Sequence, residues 1–278
     1  MLDIPRSTFY HKANESKDLT KQVQEADLID KIEKIICELP GYGTRRVTKE
    51  LKRQEWKVNR KRIQCIMREN SLLHVVKRKF VKTTDSDHPY KRYSNLAKDF
   101  IPTGPNQLWR SDITYIRILT GFVYLAVILD AFSRKVIGYA LSRSLADELT
   151  IAALVMAIAE RNPSEGCIHH SDQGGQYASD DYIKKLTEHK FKISMSRIGN
   201  PYDNAMAESF MKTLKYEEVY LWDYKTMDDV LKRIPFFIGQ VYNKERLHSS
   251  LGYVPPEEFE SVYAGKEKTV LTSQLVTL

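Results

Sequence analysis

"LWRSDITYIRILTGFVYLAVILDAFSRKVIGYALS", residues 108–142, decides how this chain folds. Its first eleven residues alternate and are rich in β-branched and aromatic side chains, the pattern of a strand with one face buried. "GFVYLAVILDAF" is near-continuously apolar, as a strand covered on both faces has to be. A Ser133-Arg134 turn then leads into a third strand, "RKVIGYALS". Strands joined this closely form an antiparallel meander.

Reading outward, "ADELTIAALVMAIAERN" (146–162) predicts a helix, "GCIHHSD" (166–172) a short buried strand, and "DDYIKKLTEHK" (180–190) a second helix. "FKISMS" (191–196) is a further strand, and "GNPYDNAMAESFMKTLKYEE" (199–218) opens on turn chemistry and continues as a helix. A meander followed by alternating helices and strands predicts an α/β fold, a mixed sheet with flanking helices. Pro235, inside the helical pattern of "TMDDVLKRIPFFIGQVYN" (226–243), predicts a kink.

Upstream the character is all-helical. "DLIDKIEKIICELPGYG" (27–43) spaces Leu28, Ile32, Ile35, Ile36 and Leu39 along one helix face and stops at Pro40-Gly41. Val47 and Leu51 stand one turn apart in "TRRVTKELKRQ", and Asn59 is a good N-cap for "RKRIQCIMREN". Two short helices with a tight turn read as a helix-turn-helix, whose second helix enters a DNA major groove. The candidate DNA contacts there are Arg45, Arg46, Arg60, Lys61, Arg62 and Arg68. Periodicity is lost from 76 to 105, a polar, basic stretch read as an extended linker. The organisation expected is an N-terminal segment (1–21), a helix-turn-helix domain (22–75), a basic linker (76–105), an α/β domain with a C-terminal helix (106–262) and a tail (263–278).

Charge points the same way. The formal net charge is +7, yet residues 41–100 hold 17 Lys+Arg against 6 Asp+Glu, while the stretches on either side are each slightly acidic. A localised basic block is the footprint of a nucleic-acid contact. Cys37, Cys65 and Cys167 are far apart with no C-x-x-C pair, which speaks against a disulfide framework or structural zinc and for a reducing compartment. No apolar run is long enough to span a bilayer, and the first residues lack the layout of a secretory signal.

Three carboxylates carry the chemistry. Asp112 lies in the first strand of the meander, Asp172 ends the fourth strand, and Glu208 sits in the first turns of a helix; 59 residues separate the first two and 35 the last two. Carboxylates converging from two strands and a helix repel one another unless cations intervene. Mg²⁺, a hard ion, accepts such oxygens and keeps positions open for water and phosphate. Lys212 and Lys215, four and seven residues beyond Glu208, fall on its helix face and suit a polyanionic substrate; the plain alternative is a solvated Glu–Lys pair.

The neighbours read differently. Asp130 ends a strand before "AFSRK" and is read as structural, closing the turn or pairing with Arg134. Asp203 is read as a helix N-cap. His169 and His170 point to opposite sheet faces, one into the core and one toward the site, and neither suits a hard ion. Gly174 and Gly175 either turn the chain through positive φ or admit a DNA backbone. Tyr177 and Tyr202 either stack on a base or ribose or pack in the core. Trp56 and Trp109 are read as core.

"LWRSDITYI", "HHSDQGGQYAS", "GNPYDNAMAESFMKTLKYE" and "YNKERLHSSLGYVPPEEF" together resemble the motif series of bacterial insertion-sequence transposases, of the type whose second reading frame encodes an integrase-like D,D(35)E core. "GYGTRRVTKELKRQEWKVNRKRIQCIMRENSL" and "RSTFYHK" resemble the segments that precede that core, so the likeness runs from about Ile4 to Phe259. The resemblance implies a ribonuclease H-like catalytic domain with Asp112, Asp172 and Glu208 as catalytic and metal-binding triad, and two Mg²⁺ or Mn²⁺ ions. It implies nicking at transposon ends followed by attack of the freed 3′-hydroxyl on another phosphodiester. It further implies a bacterial cytoplasmic, nucleoid-associated protein, a homodimer or higher oligomer on DNA, and an upstream-frame fusion partner that supplies a zipper, since this chain has no long heptad run. The competing reading is a non-catalytic DNA-binding regulator of the element. A ribonuclease cutting RNA–DNA hybrids shares the fold but leaves the helix-turn-helix unexplained. Only catalysis requires all three positions to be carboxylates, and all three are.

Overall fold

The structure is a computed structural model, and it describes residues 23–73, 89–197 and 200–265. The expected N-terminal segment 1–21, the linker residues 76–88 and the tail beyond 265 lie outside the described residues. The chain divides into two compact units between residues 77 and 78.

Among the described residues the first unit holds three helices, α1 (23–38), α2 (Thr44–Arg53) and α3 (Arg60–Glu69). Leu28, Ile32 and Ile35 of α1, Val47 and Leu51 of α2, and Ile63, Ile66 and Met67 of α3 are all buried with Tyr42. This is the apolar spacing read from the sequence, and a core of that size needs each of these faces. The Asn59 side chain accepts the Lys61 N–H at 2.7 Å, the cap the sequence proposes. Trp56 is only half-buried, against the expectation of a core residue: it lies in the α2–α3 connection, not on a helix face.

The second unit is built on a five-stranded sheet in the order β3-β2-β1-β4-β5. Strands β1 (Leu108–Ile118), β2 (Gly121–Asp130) and β3 (Val136–Ser142) form the antiparallel meander. Strands β4 (Ile168–Ser171) and β5 (Lys192–Met195) add in parallel beside β1, each reached through helical crossovers. These crossovers are α4 (Asp147–Arg161), then the short α5 (Gly175–Ala178) with α6 (Asp180–Glu188).

Alternation along β2 sorts the two faces. Val123, Leu125, Val127 and Leu129 pack in one layer with Phe210 and Leu214 of α7 (Ala205–Leu214) and Val230 and Ile234 of α8 (Met227–Phe236). Ala126 and Ile128 face the other layer, with Leu149, Ala153 and Ala157 of α4 and Tyr182 and Leu186 of α6. Burial on both faces is why β2 carries so unbroken an apolar run.

Helix α4 lies very close to β3. A Cβ placed on Gly138 would stand 2.7 Å from the Ala157 Cβ and nearer still to the Ala153 carbonyl oxygen, which cannot turn aside. Gly138→Ala is therefore expected to cost about 1–3 kcal/mol. Thermal melting checks this, at about 2–4 °C per kcal/mol for a domain of this size.

One expectation is corrected here. Residues 89–105 are not a free linker: Ala97 is buried with Leu108, Ala131 and Ile168, and the Leu96 N–H donates to Ser194 Oγ at 2.8 Å. Pro235 marks a change of helical register: α8 passes at Phe237 into a π-helix, Phe237–Glu245. A helix α9 (256–265) follows, tied to α4 by the Arg161–Glu260 pair and to the β2–β3 turn by Phe132 against Phe259 and Tyr263.

Candidate active site

Strands β1 and β4 run parallel in the register Leu108–Ile168, Trp109–His169, Arg110–His170. Asp112 and Asp172 each follow that last pair by two residues, so the sheet sets Asp112, midway along β1, beside Asp172, just past the carboxyl end of β4. Ligand sites in open α/β sheets gather at the carboxyl ends of strands.

The third carboxylate is brought to them by a braced turn. The segment Pro201–Asn204 is one turn of 3₁₀ helix ahead of α7. Asn204 donates from Nδ2 to the Ser111 carbonyl at 2.9 Å, and the Arg110 guanidinium donates to the Asp203 carbonyl. Both anchors lie on β1 beside Asp112, so α7 starts against that strand and carries Glu208 in its first turns. Asp203 is not the cap that the sequence suggests. Asn200 caps the turn by accepting the Tyr202 N–H at 3.1 Å. Asp203 instead accepts from Arg197 Nε, Nη2 and N–H, each at 3.0 Å. The inserted 3₁₀ turn moves the helix start past Asp203, and the arginine holds its carboxyl well below the usual carboxylate range.

Asp112 is strongly perturbed. Burial pushes its carboxyl up to about 8; repulsion from Asp172 and Glu208 adds to this, while the Ile113 N–H and the Lys215 ammonium oppose it. Asp172 accepts the Gly174 N–H at 3.0 Å. Gly174 itself has φ −68 and neither glycine is among the positive-φ residues, so the expected positive-φ turn is corrected. The reason for glycine at 174 is proximity: a Cβ there would stand 3.1 Å from Asp172 Oδ1. Glu208 is exposed and lines a shallow pocket of about 340 Å³ with Tyr202, Ala205, Ser209 and Lys212. Lys215 is half-buried with Nζ 4.7 Å from the centre of the Tyr115 ring; burial pulls its ammonium below the usual lysine range, and Asp112 opposes that shift.

The donor set is all oxygen, which suits a hard divalent cation. Among the described residues, no three His, Cys, Asp or Glu side chains are already gathered closely enough to hold one ion. Asp112 nevertheless feels both Asp172 and Glu208, and Glu208 is exposed. Their mutual repulsion is what a cation would relieve, so the residues fit one.

The raised carboxyl has a measurable sign. A proton on Asp112 stabilises the fold fully below the ordinary carboxylate range, and that contribution is lost as pH rises toward about 8. Metal-free Asp112→Asn is expected to match the native chain in urea at pH 4.5 and to exceed it by about 1–3 kcal/mol at pH 8.5.

The other sequence candidates separate cleanly. Asp130 is fully buried and accepts the N–H groups of Asn106, Phe132 and Ser133, closing its turn as read. Both histidines are occupied inside the core, so the one expected to approach the site does not. His169 meets the Tyr182 hydroxyl at 2.9 Å, and His170 meets Ser194 and Ser196 Oγ at 2.8 and 3.1 Å. Tyr177 is core while Tyr202 is 86% exposed at the pocket. Sequence reasoning missed Arg110, Ser111 and Asn204, the braces; a polar run inside a strand next to a candidate ligand was the available signal.

In the first unit, Arg45, Arg60, Lys61, Arg62 and Arg68 are exposed, and Arg46 is half-buried with its guanidinium 5.6 Å from the Tyr42 ring centre. α3 has no acidic residue in its first turn. Three cations there oppose the positive end of the helix dipole, an arrangement that an anionic partner would relieve.

Comparison with known proteins agrees with both units. The HTH-like domain family matches residues 23–80, and the Integrase core domain family matches residues 102–201 and 189–256. The insertion element IS600 31 kDa protein of Shigella sonnei is 37% identical over 94% of this chain and 96% of its own length. The transposase for insertion sequence element IS904 of Lactococcus lactis is 37% identical over 86% of this chain and 96% of its own. Transposase InsF for insertion sequence IS3A of Escherichia coli is 38% identical over 79% and 77%. With identity at this level running nearly end to end, the chain belongs to the insertion-sequence transposases that join an HTH-like domain to an integrase core.

Proposed function

We infer that this DNA transposase, a polynucleotidyl transferase by family, works through Asp112, Asp172 and Glu208 as a D,D(35)E triad that holds two Mg²⁺ or Mn²⁺ ions. The observation that carries the reading is the raised carboxyl of Asp112, which feels both Asp172 and Glu208. Like charges brought together at the end of a sheet are a functional-site signature.

When bound, two such ions activate the attacking oxygen and stabilise the leaving one in an in-line phosphoryl displacement. The chain's own groups set this up. Asp112 gives up its proton as the site fills. Asp172 is held in place by the Gly174 N–H, and Glu208 closes the set from α7. Lys212 and Lys215 meet substrate phosphates, and the α2–α3 cations grip the duplex at the transposon end. Water attacks phosphorus and breaks the bond to O3′, leaving a 3′-hydroxyl and a 5′-phosphate; that hydroxyl then attacks a phosphodiester of the target. Residues 22–75 and 106–262 supply DNA binding and catalysis respectively. Because two ends are processed together, the working form is a homodimer or larger on DNA, with an upstream-frame fusion supplying further pairing contacts.

The test is calorimetric titration of Mg²⁺ into the full chain at pH 7 in two buffers of different ionisation enthalpy. Binding is expected to release up to about one proton per chain, lost in Asp112→Asn. Absence of binding in the native chain, or proton release that survives Asp112→Asn, would count against the assignment and favour a DNA-binding regulator.

A further inference from the structure

Helix α7 does not end in a loop. At Lys215 it opens into a π turn, Lys215–Val219, in which the Lys215 carbonyl accepts the Tyr220 N–H at 2.8 Å. π turns are rare and occur mostly as single turns at functional sites. They persist only where something outside the helix prefers them.

Here two consecutive glutamates of the turn are each gripped by an arginine from elsewhere. Arg246 donates from Nε and Nη2 to Glu217 at 2.6 and 2.7 Å, and from Nη2 to Thr213 Oγ1 at 3.3 Å. Both side chains of that pair are largely buried, 5% and 12% exposed. Arg233 donates from Nε and Nη2 to Glu218 at 2.6 and 3.1 Å, the Tyr224 hydroxyl donates to the same carboxylate at 2.6 Å, and the guanidinium lies 3.6 Å from the centre of the Trp222 ring. In an unbroken α-helix the residues after the turn would be rotated by about 100° for the one residue removed, so the two pairs favour the π register. Buried ion pairs add little net stability but select one register over another. The first residue of the selected turn is Lys215, half-buried over Tyr115 beside Asp112.

We propose that Arg246 and Arg233, by clamping Glu217 and Glu218, are positioning residues that anchor the π turn at the end of α7 and so hold Lys215, whose own N–H still bonds in the α register, toward the substrate phosphate next to Asp112. The inference rests on the reading of Lys215 as a phosphate contact. Arg246 is a positioning residue: its guanidinium meets the turn, Thr213, Tyr242 and His248.

The experiment compares Lys215→Ala, Arg246→Lys and the double variant in the full chain. Each is assayed for Mn²⁺-dependent nicking of a plasmid carrying the element's ends, and for the salt dependence of binding to a fluorescein-labelled duplex. Arg246→Lys keeps the charge and loses the fork; Arg246→Met with Glu217→Met removes both charges at similar volume and keeps the comparison open should a lone buried glutamate prevent folding. Lys215→Ala is expected to lower nicking about tenfold and the salt slope by about 0.9, one phosphate contact. Folded Arg246→Lys or the Met pair is expected to reproduce both changes, and adding Lys215→Ala to cause no further loss. Arg161→Ala, which breaks a similar pair far from the site, is expected to lower the melting temperature alone. If Lys215→Ala leaves the slope unchanged, the phosphate reading fails. If it lowers the slope while the Arg246 variants keep native slope and rate, or if the losses multiply, the aiming role is overturned.

Discussion

Asp172→Asn, Asp112→Asn and Glu208→Gln are each expected to lower Mn²⁺-dependent nicking by about 10³-fold or more, and Asp130→Asn to leave the rate per folded molecule unchanged. The first expectation follows from what a ligand does: losing it forfeits several kcal/mol of charge stabilisation in the displacement, and each 1.36 kcal/mol is a factor of ten. The second follows from where Asp130 spends its oxygens. It is fully buried and accepts three backbone N–H groups across the β2–β3 turn and from Asn106. An amide keeps the shape but loses an acceptor, so the expected cost is about 1–3 kcal/mol of stability. Both aspartates end or border a strand and look alike in one dimension; a nicking assay beside a melting curve tells them apart. Loss of nicking in Asp130→Asn at full folding would transfer the role to the wrong carboxylate for this account.

The second large effect concerns the basic helix, where two expected changes have opposite signs. Replacing Arg60, Lys61 and Arg62 together by Gln is expected to weaken duplex binding about 10²-fold at moderate salt and to lower the salt slope by about 2.7, three phosphate contacts. The same variant is expected to be more stable than the native chain, because each cation in the first turn of α3 opposes the helix dipole by about 0.3–1 kcal/mol. A merely solvated basic face predicts the gain in stability without the loss of binding. Fluorescence anisotropy at several salt concentrations, paired with urea unfolding, separates the two.

What could be read in one dimension follows the reach of the interactions involved. The meander was legible because β1 alternates and β2 does not, and those patterns report burial on one face and on two. The three-helix unit was legible because Ile32, Val47, Leu51 and Ile63 repeat at helical spacing. Features that depend on a distant partner were not. Residues 89–105 carry no period, yet Ala97 is buried against two strands and Ala131. Asp203 looks like a cap until Arg197, six residues upstream, claims it. Gly174 reads as a flexible turn, whereas its role is the close approach of Asp172. The π turn at Lys215 leaves no mark in a pattern of period 3.6, because the partners of its glutamates, Arg246 and Arg233, come from other segments. At the candidate site, the spacing singled out Asp112, Asp172 and Glu208, and the fold brings them near enough to perturb one another; the braces from Arg110 and Asn204 became visible only in three dimensions.

The most direct measurement of the central claim is a change of ligand softness at one carboxylate. Asp172→Cys in the full chain is assayed for nicking of a plasmid carrying the element's ends, in Mg²⁺ and again in Mn²⁺ or with added Cd²⁺. A thiolate is a poor partner for hard Mg²⁺ and a good one for softer ions. The account predicts an inactive enzyme in Mg²⁺ that recovers activity with the softer metals, with no such recovery in Asp172→Ala. Full activity of Asp172→Cys in Mg²⁺, or equal recovery in the alanine variant, would show that Asp172 does not ligate the catalytic metal.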